Sequence, residues 1–216
     1  MRKITDIYSE YKIMPNLIMH QLRVTAVAEQ ICKSLDIEVD KESIIKACLL
    51  HDMGNVIKFD MVQTKSIFGL SDSEIENIKK IQDEFIQKYS HDEEKANVEI
   101  ARELDVSETV VQFISGNGFN NLCIIKDNTD WGSKILQYSD LRVGPKGVLS
   151  YDERMDDGKK RYANHKNYVE EEERNKIVNC GRDIEKQIFA HSNIKQEYIT
   201  DESVKEMIEE LKNFEI

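Results

Sequence analysis

The sequence predicts an all-α protein, and three observations predict it. Only two prolines and nine glycines punctuate 216 residues, so few positions break a helix or force a turn. Charged residues make up 33% of the chain and fall in long stretches rich in Glu, Lys, Ile and Leu, a composition of helices rather than of a many-turned β fold. Ser followed three residues later by Glu recurs at Ser71/Glu74, Ser90/Glu93 and Ser150/Glu153. In such a capping box the Ser side chain accepts from a backbone N–H and the Glu reaches back to the Ser backbone.

Taken in order, the first expected helix spans 15–35, where Leu17, Val24, Val27 and Ile31 form an apolar stripe. The second spans 41–52 and carries the run Ala47-Cys48-Leu49-Leu50 up to His51-Asp52, with Gly54 turning the chain away. The capping boxes start helices over 72–88, 91–104 and 151–163, and further helices are expected over 107–115, 130–143, 168–191 and 201–213. In the last of these, Val204, Met207, Ile208 and Leu211 recur at i, i+3, i+4, i+7. Two stretches resist a helical reading. Phe113 to Asp130 contains Gly116, Asn117, Gly118, Asn120 and Asn121 and reads as a loop with a short extended piece at Leu122–Ile125. Arg142 to Ser150, with Gly144-Pro145 inside it, reads as a second loop. The charge-rich stretch from Asp156 to Arg174 suggests a core over 1–150 and a C-terminal helical extension over 151–216.

A net charge of −11 excludes a general grip on duplex nucleic acid, which needs clustered Lys and Arg. It leaves room for a small anionic substrate beside a bound cation. No apolar run approaches the roughly 20 residues of a membrane span, and the opening MRKITDIYSE lacks a signal-peptide core, so a cytoplasmic protein without membrane contact is expected. Cys32, Cys48, Cys123 and Cys180 form no CxxC pair and are expected to be structural, reduced thiols. A homo-oligomer is left open.

The chemistry sits on buried faces. His20 lies on the first apolar stripe, three residues after Leu17 and four before Val24. Asp140 shares a face with Leu136 and Val143. His51-Asp52 ends an apolar helix, whereas the chain's other His-Asp pair, His91-Asp92, lies in an acidic surface-like segment. A lone inward His is usually a satisfied core residue and a lone inward Asp a cap or an Arg partner. Three helices that each turn an ionisable group inward point instead to a metal. Two imidazoles and two carboxylates suit Mn, Fe, Co, Ni or Zn, whereas calcium wants more oxygens.

The order His20, His51-Asp52, Asp140 resembles the H…HD…D pattern of the HD-domain metal-dependent phosphohydrolase superfamily. The resemblance runs over roughly residues 15–145 and rests on that first histidine, on LLHDMGN and on YSDLRV. It implies an HD-type helical bundle and one divalent transition metal on His20, His51, Asp52 and Asp140. The implied reaction is hydrolysis of a small phosphorylated metabolite, nucleotides foremost, with Asp52 orienting the attacking water. The segment SHDEEKANVEIAREL is similar to the one that supplies a further histidine in dinuclear or dinucleotide-cleaving members, which makes His91 a second catalytic candidate. Arg23, Lys58, Lys95, Arg142 and Lys146 are the expected phosphate contacts.

Departures from the pattern narrow this. SGNGFNN holds Asn117 and no His, which argues against a second tightly held metal, and Asn55 stands where many relatives carry Lys. The acidic pair and the GYP motif of the guanosine-tetraphosphate and cyclic-dinucleotide hydrolases are missing. A reading from another class is a non-catalytic HD-type module that senses nucleotide or metal, favoured by Asn55, Asn117 and the acidic tail.

Overall fold

In the computed structural model, residues 1–162 and 170–216 are described. They form twelve α-helices and, among the described residues, no strand longer than an isolated bridge. The helices are α1 (Ile4–Glu10), α2 (Pro15–Ser34), α3 (Lys41–Leu50), α4 (Met61–Phe68), α5 (Asp72–Tyr89) and α6 (Glu93–Glu103). They continue with α7 (Glu108–Gly116), α8 (Leu122–Asp127), α9 (Trp131–Asp140), α10 (Tyr151–Tyr162), α11 (Glu171–Ala190) and α12 (Asp201–Leu211). The all-α expectation holds. The expected helices over 151–163 and 168–191 each run into residues outside the described ones.

At the centre of the bundle, α2 packs against α3, α9 and α12, while α3 also packs against α7 and α9. The apolar stripe makes this possible, since Val24, Val27 and Ile31 are fully buried and Leu17 nearly so. The C-terminal helices lie against the same core, α12 on α2 and α11 on α8 and α9. The two ends of the chain meet: Arg2 and Ile216 exchange backbone hydrogen bonds of 3.1 and 2.9 Å, and Ile4 N–H donates to Phe214 O at 2.9 Å.

Several local expectations change. The capping boxes at Ser71/Glu74 and Ser150/Glu153 form. At Ser90/Glu93 none does, because Ser90 closes α5 with φ of 72° and Asp92 caps α6 by accepting Lys95 N–H at 3.0 Å. The piece expected to be extended at Leu122–Ile125 is the helix α8. Leu122 and Ile125 are buried one turn apart against α11 while Ile124 stays exposed, so tertiary packing overrides the strand preference of a β-branched pair. Two short helices add to the expected set. α1 buries Ile4, Ile7 and Tyr8, and α4 is capped by Asp60 and closed by Gly69 with φ of 66°.

The cysteine expectation is also corrected. Cys123 on α8 and Cys180 on α11 form a disulfide, their Cα atoms 5.0 Å apart. The two residues are 57 positions apart in sequence, and only the docking of α11 on α8 brings them within bonding reach. Cys32 and Cys48 are free. Burial holds the Cys48 thiol pKa well above the ordinary value and pushes that of Cys32 up to about 12, so both are inert thiols at neutral pH.

Candidate metal centre

Three elements place the four expected ligands together. His20 projects from the second turn of α2, Asp140 is the last residue of α9, and His51 ends α3 with Asp52 in the turn behind it. That turn is tightly built. Met53 N–H bonds to Leu50 O, Asn55 N–H to Asp52 O at 3.1 Å, and Gly54 N–H to the Asn97 side-chain oxygen at 2.6 Å. A Cβ at Gly54 would stand 2.6 Å from the Ala96 Cβ, so only glycine lets α6 approach the turn this closely. The Tyr8 hydroxyl donates to Leu49 O at 2.7 Å and steadies the end of α3 from the other side.

The cluster that results is compact. His20 Nε2 lies 3.1 Å from Asp140 Oδ1 and 3.5 Å from Asp52 Oδ2, and His51 Nε2 lies 3.6 Å from Asp140 Oδ1 and 3.7 Å from Asp52 Oδ1. Ligand-type atoms of His20, His51 and Asp52 fall within 4.8 Å of one another. The His51 side chain is fully buried at the floor, while His20, Asp52 and Asp140 keep 16–22% exposure and line an opening.

Protonation follows from the contacts. His51 Nδ1 lies 2.8 Å from the Cys48 carbonyl oxygen, which can only accept, so Nδ1 carries the proton and Nε2 faces the carboxylates. Buried Nε2 has no hydrogen-bond partner among the described residues. Burial alone would depress the His51 pKa, but Asp52 and Asp140 outweigh it and raise it to about 9. Burial pushes the other way on Asp140, yet the hydrogen bond with His20 and the nearby charge of His51 hold its carboxyl well below the usual range. Two carboxylates and two imidazoles thus converge, with an orphaned ring nitrogen aimed at the centre. This donor set fits a divalent transition ion, which supplies the positive charge that the carboxylates draw from His51.

A family model described as the HD domain matches residues 17–122. Over these residues the chain carries an HD domain. The match points to the superfamily of metal-dependent phosphohydrolases. The HD match takes in His20 and the His51-Asp52 pair, and Asp140 joins them by geometry from beyond its end. No curated protein and no solved structure matches the chain.

The remaining expected site residues scatter. Arg23, one turn after His20, faces Asp201 at 3.5 Å. Lys58 closes the 3₁₀ turn after the HD pair, 3.7 Å from Glu93, and Lys95 pairs with Glu99 at 3.6 Å on the exposed side of α6. Lys146 is exposed at the tip of the loop after α9. His91, expected to open a helix, lies exposed in the link between α5 and α6.

Arg142 is spent on structure rather than turned toward a substrate. Only 3% exposed, it donates to Tyr138 Oη at 2.8 Å, to Ile199 O at 3.0 Å, to Gln196 O at 3.3 Å and to Leu149 O. Asn97 fixes the HD turn from 43 residues away, and nothing in the sequence singles it out, because an Asn on a helix becomes informative only when its partner is known.

Proposed function

We propose that this HD domain hydrolyses phosphate ester or anhydride bonds in small phosphorylated metabolites, nucleotides foremost, using one divalent transition ion on His20, His51, Asp52 and Asp140. What supports the reading is the buried, unpartnered Nε2 of His51 facing two carboxylates inside an HD domain. A bound ion supplies a lowered water pKa and neutralises a phosphoryl oxygen.

The protein side of the reaction falls to few residues. His51 is held in one tautomer by Cys48 O, so its free nitrogen is always presented inward. Asp52 has one oxygen toward each histidine and reaches the opening, which suits it to orient the attacking water and accept its proton. Asp52, rather than His91, takes this role because it belongs to the cluster. Arg23 is the phosphate contact best placed by its helix, one turn from His20.

Metal analysis of the purified protein, with an activity screen over nucleotides and generic phosphate esters in Mn, Co or Ni, tests the reading. We expect a single equivalent of transition metal, and loss of both metal and activity in Asp52→Ala with the helical circular dichroism retained. Full activity in metal-free Asp52→Ala protein would refute it. Tight nucleotide binding without turnover in the metal-loaded wild type would favour the sensing module.

A further inference from the structure

Arg23 is held from outside the HD match. Its Nε is buried and faces Asp201 Oδ1 at 3.5 Å without forming a hydrogen bond. Nη1 and Nη2 take no hydrogen bond among the described residues, and the side chain remains 21% exposed. The edge of the guanidinium that can fork around a phosphate is therefore uncommitted.

Asp201 is itself tightly placed. It is the first residue of α12, whose Val204, Ile208 and Leu211 are buried in the core that α12 shares with α2. Its Oδ1 also accepts Val148 N–H at 3.1 Å, from the loop that follows Asp140. A Cβ at Gly147 would stand 2.2 Å from Asp201 Oδ2, so the loop backbone presses against this carboxylate. One side chain thus touches both the helix that carries His20 and the loop that leaves Asp140.

We propose that Asp201 is a positioning residue that aims the Arg23 guanidinium at a substrate phosphate, which makes the C-terminal extension part of the phosphate site. The proposal rests on the phosphohydrolase reading of the metal centre. Two effects of the carboxylate oppose each other. It removes rotamer freedom from a long side chain before the phosphate arrives, which strengthens binding. It also offsets the positive charge of Arg23, which weakens attraction to an anion. Orientation outweighs charge here, because a forked contact depends on the plane of the guanidinium while the offset acts at the far, Nε edge.

The test titrates inorganic phosphate calorimetrically into Mn-loaded wild type, Asp201→Asn, Arg23→Ala and the double variant. Asn is isosteric beside Gly147 and keeps an oxygen for Val148 N–H, so the fold is spared. We expect about fivefold weaker phosphate binding in Asp201→Asn, the loss of one modest oriented contact. Mn affinity should be unchanged, and Asp201→Asn should have no further effect once Arg23 is Ala. Unchanged or tighter phosphate binding in Asp201→Asn overturns the proposal while leaving the phosphohydrolase reading intact. So does loss of Mn in that variant, or an equal effect of Asp201→Asn in the Arg23→Ala background. If Mn-loaded wild type binds no phosphate at all, the reading and the proposal fall together.

Discussion

The disulfide between α8 and α11 offers the most quantitative expectation. Its two cysteines are 57 residues apart, and closing a loop of that length removes about 14 cal/mol/K from the unfolded ensemble, or about 4 kcal/mol near room temperature. The native fold should survive its loss, since Leu122, Ile125, Ile184 and Ile188 stay buried around the same contact. Reduction is the cleanest perturbation because it changes no residue, and Cys123→Ser is the second choice because Cys123 is less buried than Cys180. Urea unfolding is measured on fully oxidised and fully reduced protein, with thiols counted in denaturant: two free before reduction, since only Cys32 and Cys48 are unpaired, and both sulfurs of the bridge in addition afterwards. The reduced protein should unfold at lower urea, with up to about 4 kcal/mol less stability and a steeper dependence on denaturant as the unfolded chain expands. Superimposable curves from verified oxidised and reduced samples would refute the argument.

Three further outcomes follow from the geometry. Gly54→Ala forces its methyl onto Ala96 and should cost about 1–3 kcal/mol; because the strain falls on the HD turn, metal content should drop as well, read by elemental analysis beside a melting curve. Arg142→Met leaves the carbonyls of Leu149, Gln196 and Ile199 without their donor, which should cost about 3 kcal/mol or more in urea unfolding without abolishing metal binding. Burial would raise the Glu103 pKa, but hydrogen bonds from Lys88, Tyr11 and Tyr89 outweigh it and hold the carboxyl below its ordinary value of 4.5. A depressed pKa stabilises the fold above that value and loses its contribution as pH falls through the folded one. Glu103→Gln should therefore cost about 1 kcal/mol of stability at neutral pH given its exposure, read as a lower melting temperature, and the gap to wild type should close in acid.

How much was legible in the sequence depended on the range of the forces involved. The long helices were legible because burial of one face imprints a period on local residues, as in Leu17, Val24, Val27 and Ile31. His20 and Asp140 could be read for the same reason, as polar residues set on apolar faces. α1 carried the spacing Ile4, Ile7, Tyr8, but seven residues give too little periodicity to stand apart from chance. The Cys123–Cys180 bond, the grip of Asn97 on Gly54 and the burial of Arg142 were not legible, since each depends on a partner tens of residues away. Arg142 is instructive: placed two residues after Asp140, it had the right charge for a phosphate contact, and only the fold reveals that backbone carbonyls consume it.

The pairing of the chain's two ends bears on the order in which the molecule is completed. α1 is made before the rest of the bundle, yet Ile4 N–H and Arg2 N–H find their acceptors in Phe214 and Ile216. Contacts this distant in sequence form late, because the whole intervening chain must be ordered before they can close. The N-terminal helix, and with it the Tyr8 hydroxyl that steadies Leu49 behind the HD turn, therefore waits for residues 214–216 to be made. On a growing chain, this support behind the metal centre comes only after α12 and the residues that follow it have been made.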